Sequence, residues 1–147
     1  METTTDKSKE LQASVKLVND RLKFEGIVEP NEPLSIDYIA PLGDNSGYTS
    51  LELLLLSLTS CIGSAVLTFL RKMRRTIVSC KIKATGIRNE VHPTGFRSIT
   101  VTIIISSPDV TDNDMLKVIK LSEDTYCPVW SMLKGNVEIE TRYLINM

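Results

Sequence analysis

The sequence is poor in the residues from which most metal and redox centres are assembled. Its one histidine, His92, cannot build a multi-histidine metal site. Its cysteines, Cys61, Cys80 and Cys127, are odd in number and form no C-x-x-C pair. An excess of one charge is missing too. Seventeen basic residues against eighteen acidic ones leave a net charge of −1, without the basic surplus of a nucleic-acid binder. The opening Met1-Glu2-Thr3-Thr4-Thr5-Asp6-Lys7 lacks the basic start and apolar run of a secretory signal. The expected setting is therefore a reducing cytoplasm, where a cysteine pair is more often chemical than structural. Internal repeats, low-complexity tracts and domain linkers are absent as well.

What remains is ordinary globular material: 42% hydrophobic and 24% charged residues over 147 positions, enough for one domain with a real core. Residues 1–12 read as a flexible N-terminal tail and 13–147 as a single domain. Leu51 to Leu70 is about long enough to cross a bilayer. It carries Glu52, Ser57, Thr59, Ser60, Ser64 and Thr68 without an aromatic belt, so a buried helix and no membrane partner are expected.

Around that helix the patterning is mostly β. Ser14–Val18 and Leu22–Ile27 predict two strands joined by an Asn19-Asp20 turn, and Leu34, Ile36 and Tyr38 alternate in a third. A turn-rich loop, Gly43-Asp44-Asn45-Ser46-Gly47, leads into the helix. Ile77–Ala84 and Ser98–Ile105 alternate as strands around a Gly86–Gly95 hairpin loop. Val110–Ser122, with Met115, Leu116, Val118 and Ile119, has half-buried helical spacing. Pro128 and Gly135 frame a short helix, and Val137 to Tyr143 alternates as a last strand. The expected class is α+β, with the strands on a single sheet around one long central helix.

Several residues are candidates for chemistry. Cys61 lies mid-helix among Ser60, Gly63, Ser64 and Ala65, where small neighbours admit a close approach. A small buried hydrophobe is the plain alternative. Cys127 precedes Pro128, so helix-start N–H groups and the helix dipole are expected to favour its thiolate. Cys80 shares a strand face with Val78, Ile82 and Ala84 and reads as core. Thr49 and Glu52 have the spacing of a capping box, and Glu52 otherwise serves to orient a cation near a thiolate. Arg21, beside the Asn19-Asp20 turn, is the candidate cation. His92 reads as an exposed loop residue, and the Arg71–Arg75 cluster complements a helix C-terminus.

Leu51-Glu52-Leu53-Leu54-Leu55-Leu56-Ser57-Leu58-Thr59-Ser60-Cys61, with Tyr126-Cys127-Pro128-Val129 far downstream, resembles the OsmC/Ohr family from about residue 13 onward. The resemblance implies an OsmC-like fold, a mainly antiparallel sheet around the long helix, and an intertwined homodimer. It also implies a two-cysteine thiol peroxidase that reduces organic hydroperoxides or hydrogen peroxide, with an external dithiol, possibly of lipoyl type, as reductant. Cys61 matches the peroxide-attacking cysteine and Cys127 the resolving one. Arg21 falls about where the hydroperoxide-reducing branch keeps its thiolate-stabilising arginine. That branch places a carboxylate ten residues before the first cysteine; here that position is Leu51, and Glu52 stands nine before. Phe69, Tyr126, Trp130 and Met132 are candidate walls for an organic peroxide. Neither metal nor flavin is required. Two other functions fit the same residues: a general disulfide oxidoreductase, and a non-catalytic dimeric module holding a small apolar ligand.

Nine helical residues advance about 13.5 Å and turn roughly half a circle, so Glu52 cannot serve Cys61 of its own helix. An antiparallel crossing of two copies near Leu56 and Ser57 would bring Glu52 towards the other copy's Cys61, and Arg21 is expected to act on that same cysteine across the dimer.

Overall fold

Thr49 starts the long helix as its sequence predicts. The Glu52 N–H donates to Thr49 Oγ1 at 3.3 Å, and the Thr49 N–H donates to Glu52 Oε1 at 2.9 Å, a complete capping box. From there α1 runs over Ser50–Lys72. It closes with the Arg75 N–H on the Leu70 carbonyl and the Arg74 N–H on that of Arg71. Arg74 takes the left-handed conformation, φ 62°, that this stop demands.

The computed structural model describes residues 6–146, which divide into two compact units, one running to Leu53 and one from Leu54. Of the expected N-terminal tail, residues 1–5 lie outside the described residues; the Lys9 and Glu10 N–H groups both donate to the Asp6 carbonyl.

The first unit is a three-stranded antiparallel sheet, β1 (Ser14–Leu17), β2 (Phe24–Ile27) and β3 (Leu34–Ile36). Asn19 Oδ1 makes the β1–β2 turn by accepting from the Arg21 and Lys23 N–H groups at 2.9 and 3.1 Å. The loop after β3 is organised by Asp37, which the sequence reading missed. Its buried carboxylate accepts from the Tyr38, Asp44 and Ser46 N–H groups and from the Ser46 hydroxyl. Burial pushes this acid up, but the Ser46 hydroxyl and the three backbone donors together hold it down at about 2. Gly43 is obligatory here, since a Cβ would stand 2.1 Å from the Tyr38 carbonyl oxygen.

The second unit joins most of α1 to a second three-stranded sheet, so the expected single sheet is two. Its strands are β4 (Ser79–Arg88), β5 (Phe96–Ser106) and β6 (Glu138–Ile145), in that order. The β4–β5 hairpin is longer than predicted, because pairing continues past Ala84 to Arg88 across a bulge. β6 lies parallel to β5, which the alternation of its residues could not reveal. The connection between them carries α2 (Asp112–Leu121), a π turn (Ser122–Tyr126) and α3 (Pro128–Leu133).

The core belongs to this unit. Leu58, Ile62, Val66 and Leu70 recur every four residues along α1, and Ile99, Val101, Ile103 and Ile105 alternate along β5. Each fully buried side chain of this size contributes roughly 1.5–3 kcal/mol. At Gly63, α1 approaches β4 so closely that a Cβ would stand 2.6 Å from Ile82 Cδ1. α2 turns Met115 and Val118 inward but leaves Leu116 58% exposed, contrary to its apolar assignment. α1 is long and apolar enough to span a bilayer, yet it is not uniformly buried. One stripe, Ser57, Ser60, Ser64 and Thr68, is exposed, and the last three hydroxyls donate to carbonyls of their own helix.

Candidate active site

Small residues around Cys61 leave its side chain half-buried on α1, between exposed Ser57, Ser60 and Ser64. Cys127 arrives from the π turn, where its N–H donates to the Ser122 carbonyl five residues back at 2.8 Å. Pro128, unable to donate, takes the first position of α3. Cys127 itself is the N-cap, and its sulfur accepts the Trp130 N–H at 3.3 Å. These two elements bring together residues 66 positions apart: the Cys127 thiol donates to Cys61 Sγ at 2.9 Å, and both cysteines are free. Cys80 stays apart on β4, half-buried on the inward side with Ile82 and Ala84. Burial raises its thiol pKa, and Arg71 only partly offsets this.

The electrostatics reverse one expectation. Cys127 does receive the helix-start N–H groups of Trp130 and Val129, which favour its thiolate. Burial outweighs them, since Cys127 is 2% exposed, and its hydrogen bond to Cys61 further holds the proton. The Cys127 thiol is pushed up to about 11. Position at a helix start reveals the donors but not the desolvation, so the lower-pKa assignment of Cys127 does not hold.

Beside Cys127, the Tyr126 ring meets Phe69 at 4.7 Å between centroids, tilted by 55°. Lys72 Nζ lies 5.5 Å from the Phe69 centroid. Tyr126 and Met132 are exposed, at 55% and 73%, and Trp130 is half-buried.

The other two candidates belong to the first unit. Arg21 is 41% exposed and forms an ion pair with Asp44, while a second guanidinium nitrogen donates to the Pro41 carbonyl. Asp44 was not singled out from the sequence; its only signal is its place in the turn-rich run. Glu52 performs its capping role, and the Thr49 donors keep its carboxyl below the usual range.

The OsmC-like protein family matches residues 43–142, two-thirds of the sequence and the stretch that holds both facing thiols. The chain belongs to that family. It is 32% identical over 133 residues to Protein YhfA of Escherichia coli, covering 90% of this chain and 96% of that one. The OsmC-like fold recurs in a hypothetical protein from Aquifex aeolicus, with TM-score 0.81, 24% identity, and 93% and 96% of the two chains covered. It recurs again in an organic hydroperoxide resistance protein from Elizabethkingia anophelis, with TM-score 0.71 and 17% identity over 99% and 100% of the chains.

Proposed function

We propose that this OsmC-like chain is a two-cysteine thiol peroxidase that reduces organic hydroperoxides or hydrogen peroxide at the expense of a dithiol. The observation that carries the reading is the pair of free thiols 2.9 Å apart, one half-exposed and one buried. The fold it shares with a protein named for organic hydroperoxide resistance fits the same chemistry.

Cys61 is the attacking residue in this scheme. Its thiolate takes the distal peroxide oxygen, the O–O bond breaks, and the alcohol or water leaves as Cys61 becomes a sulfenic acid. Cys127 then gives up its proton and attacks the Cys61 sulfur, expelling water and forming the Cys61–Cys127 disulfide. A dithiol returns both cysteines to thiols by exchange. The high pKa of Cys127 suits the second role, because a protonated buried thiol does not compete for peroxide. As a donor, it also stabilises charge on Cys61 before the attack. The Phe69–Tyr126 pair, with Trp130 and Met132, is the apolar surface this reading assigns to the organic part of a hydroperoxide.

The reading includes a two-fold homodimer in which Arg21 and Glu52 of one copy serve Cys61 of the other. Among the described residues, none of the first unit is a buried apolar side chain; the buried apolar residues begin at Leu58. The first unit exposes Val15, Leu17, Leu34, Ile39 and Leu42 instead, and Leu56 of α1 is 52% exposed. So much uncovered apolar surface calls for a covering partner. Asp44 and the Pro41 carbonyl occupy two guanidinium donors of Arg21 and leave others for a thiolate.

The test is titration of free thiols before and after one equivalent of cumene hydroperoxide, with peptide mapping of the product. Loss of two thiols, a Cys61–Cys127 disulfide and a free Cys80 are expected. Unchanged thiols after exposure to several peroxides would refute peroxidase activity. Turnover of disulfides without peroxide consumption would move the protein to disulfide exchange.

A further inference from the structure

Once the two sulfurs are joined, an incoming thiol can in principle attack either one. Exchange proceeds through a mixed disulfide, and its rate depends on which sulfur is reachable and on how well the departing thiolate is held. The two cysteines differ sharply in the first respect. Cys61 is half-buried on a helix face whose neighbours Ser60 and Ser64, beyond the proposed crossing at Leu56 and Ser57, are exposed in the single chain. The Ser60 and Ser64 hydroxyls donate back to the Ser57 and Ser60 carbonyls, at 3.1 and 2.8 Å, so small side chains folded onto their own helix flank the sulfur. Cys127 is 2% exposed, enclosed between the π turn and Pro128.

We infer that the reducing dithiol attacks the Cys61 sulfur of the disulfide and that Cys127 is the sulfur that leaves. The inference rests on the two-cysteine reading above and assigns the reductant to the same opening that admits peroxide. In the step itself, a reductant thiolate forms a bond to Cys61 Sγ while the Cys61–Cys127 bond breaks. The electron pair passes to Cys127, which takes up a proton. The second thiol of the reductant then attacks its own partner sulfur, releasing Cys61 thiolate and closing the reductant into a disulfide. The dithiol loses two electrons and the protein disulfide gains them.

Burial, which raises the Cys127 pKa, slows its departure and two backbone donors only partly ease it, so access to the sulfur rather than leaving-group quality sets the direction of attack. The Trp130 N–H stands 3.3 Å from its sulfur and the Val129 N–H also favours its anion, so negative charge arriving there meets oriented donors. Cys61, which otherwise opposes ionisation of Cys127, is tied up in the mixed disulfide at that moment. Burial that protects Cys127 from attack thus coexists with backbone groups that receive it as a leaving group.

The experiment uses the full chain, oxidised with diamide so that disulfide formation does not depend on peroxide. Brief exposure to glutathione, an acid quench and peptide mapping should find glutathione on Cys61 and a free thiol at Cys127. Glutathione on Cys127 would overturn the assignment. Because Cys127 can expel the adduct, a second comparison uses single-thiol variants in a Cys80→Ser background carrying 2-nitro-5-thiobenzoate, on Cys61 when Cys127→Ser is added and on Cys127 when Cys61→Ser is added. The leaving group is then identical, and dithiothreitol should release it at least about tenfold faster from Cys61. Equal rates, or faster release from Cys127, would overturn the assignment as well. Failure of diamide to join Cys61 to Cys127 would instead strike the two-cysteine reading, while the paired release rates still decide which sulfur is open.

Discussion

Arg75 Nε lies 2.8 Å from Asp114 Oδ2, tying the chain just past α1 to the first turn of α2. The same carboxylate accepts the Thr111 N–H at 3.0 Å, and the Asp114 N–H returns to Thr111 Oγ1 at 3.2 Å. The Thr111 N–H does most to hold Asp114 below the usual carboxylate range; burial opposes it and Arg75 adds to it. A depressed carboxyl stabilises the fold fully above its unfolded value, near 3.9, and loses that contribution as pH falls through its folded value. Asp114→Ala should therefore cost about 1–2 kcal/mol near neutral pH. Urea titrations of both proteins should show the gap narrowing below about pH 4.

Gly86 faces the Phe96 ring, where an added Cβ would meet ring carbons at 2.3, 2.5 and 2.9 Å. Phe96 is buried and cannot yield freely. Gly86→Ala should destabilise by roughly 1–3 kcal/mol. Gly95→Ala is the control, since nothing lies within 4 Å of its Cβ position. Comparable losses in the two variants would contradict the close ring contact.

Cys61→Ser should abolish peroxide turnover, whereas Cys127→Ser should still consume one equivalent. Without its resolving partner the sulfenic acid persists or overoxidises, and both products are visible by mass. A burst retained in Cys61→Ser and lost in Cys127→Ser would exchange the two roles.

The raised pKa of Cys127 has a direct signature in alkylation. In the reduced protein its labelling by iodoacetamide should be slow near pH 8 and still climbing at about pH 10, because only the thiolate reacts. A rate that levels off near neutrality would contradict a buried, protonated resolving thiol.

Leu56→Arg sets a charge on the exposed apolar part of α1. It should lower both dimerisation and peroxide turnover, followed by sedimentation and activity at one protein concentration. A fully active monomer would remove Arg21 and Glu52 from the site and return Glu52 to its cap alone.

How far the sequence discloses this architecture depends on whether the signal is local. The capping box at Thr49 and Glu52, proline at the start of α3 and the alternation of β5 are local, and the structure has them where the residues indicate. Partition of the strands into two sheets and the parallel pairing of β6 depend on distant partners, which alternation does not encode. Leu116 illustrates the same limit, as helical spacing there permits either face and tertiary packing chose Met115 and Val118. The π turn has no residue signature of its own. At the candidate site both cysteines stood out by position, but their 2.9 Å contact requires α1 and the β5–β6 connection to meet. The pKa of Cys127 followed the burial rather than the cap, and burial is a property of the finished fold.

The backbone amide resting on Cys127 belongs to Trp130, the single tryptophan of the chain. Charge or covalent change at that sulfur is thus one hydrogen bond away from the backbone of the one residue whose indole emission can be excited apart from the tyrosines. Emission from that one indole, with no second tryptophan to dilute it, should therefore change as the pair passes from dithiol to disulfide, a label-free readout that a diamide titration followed by fluorescence checks.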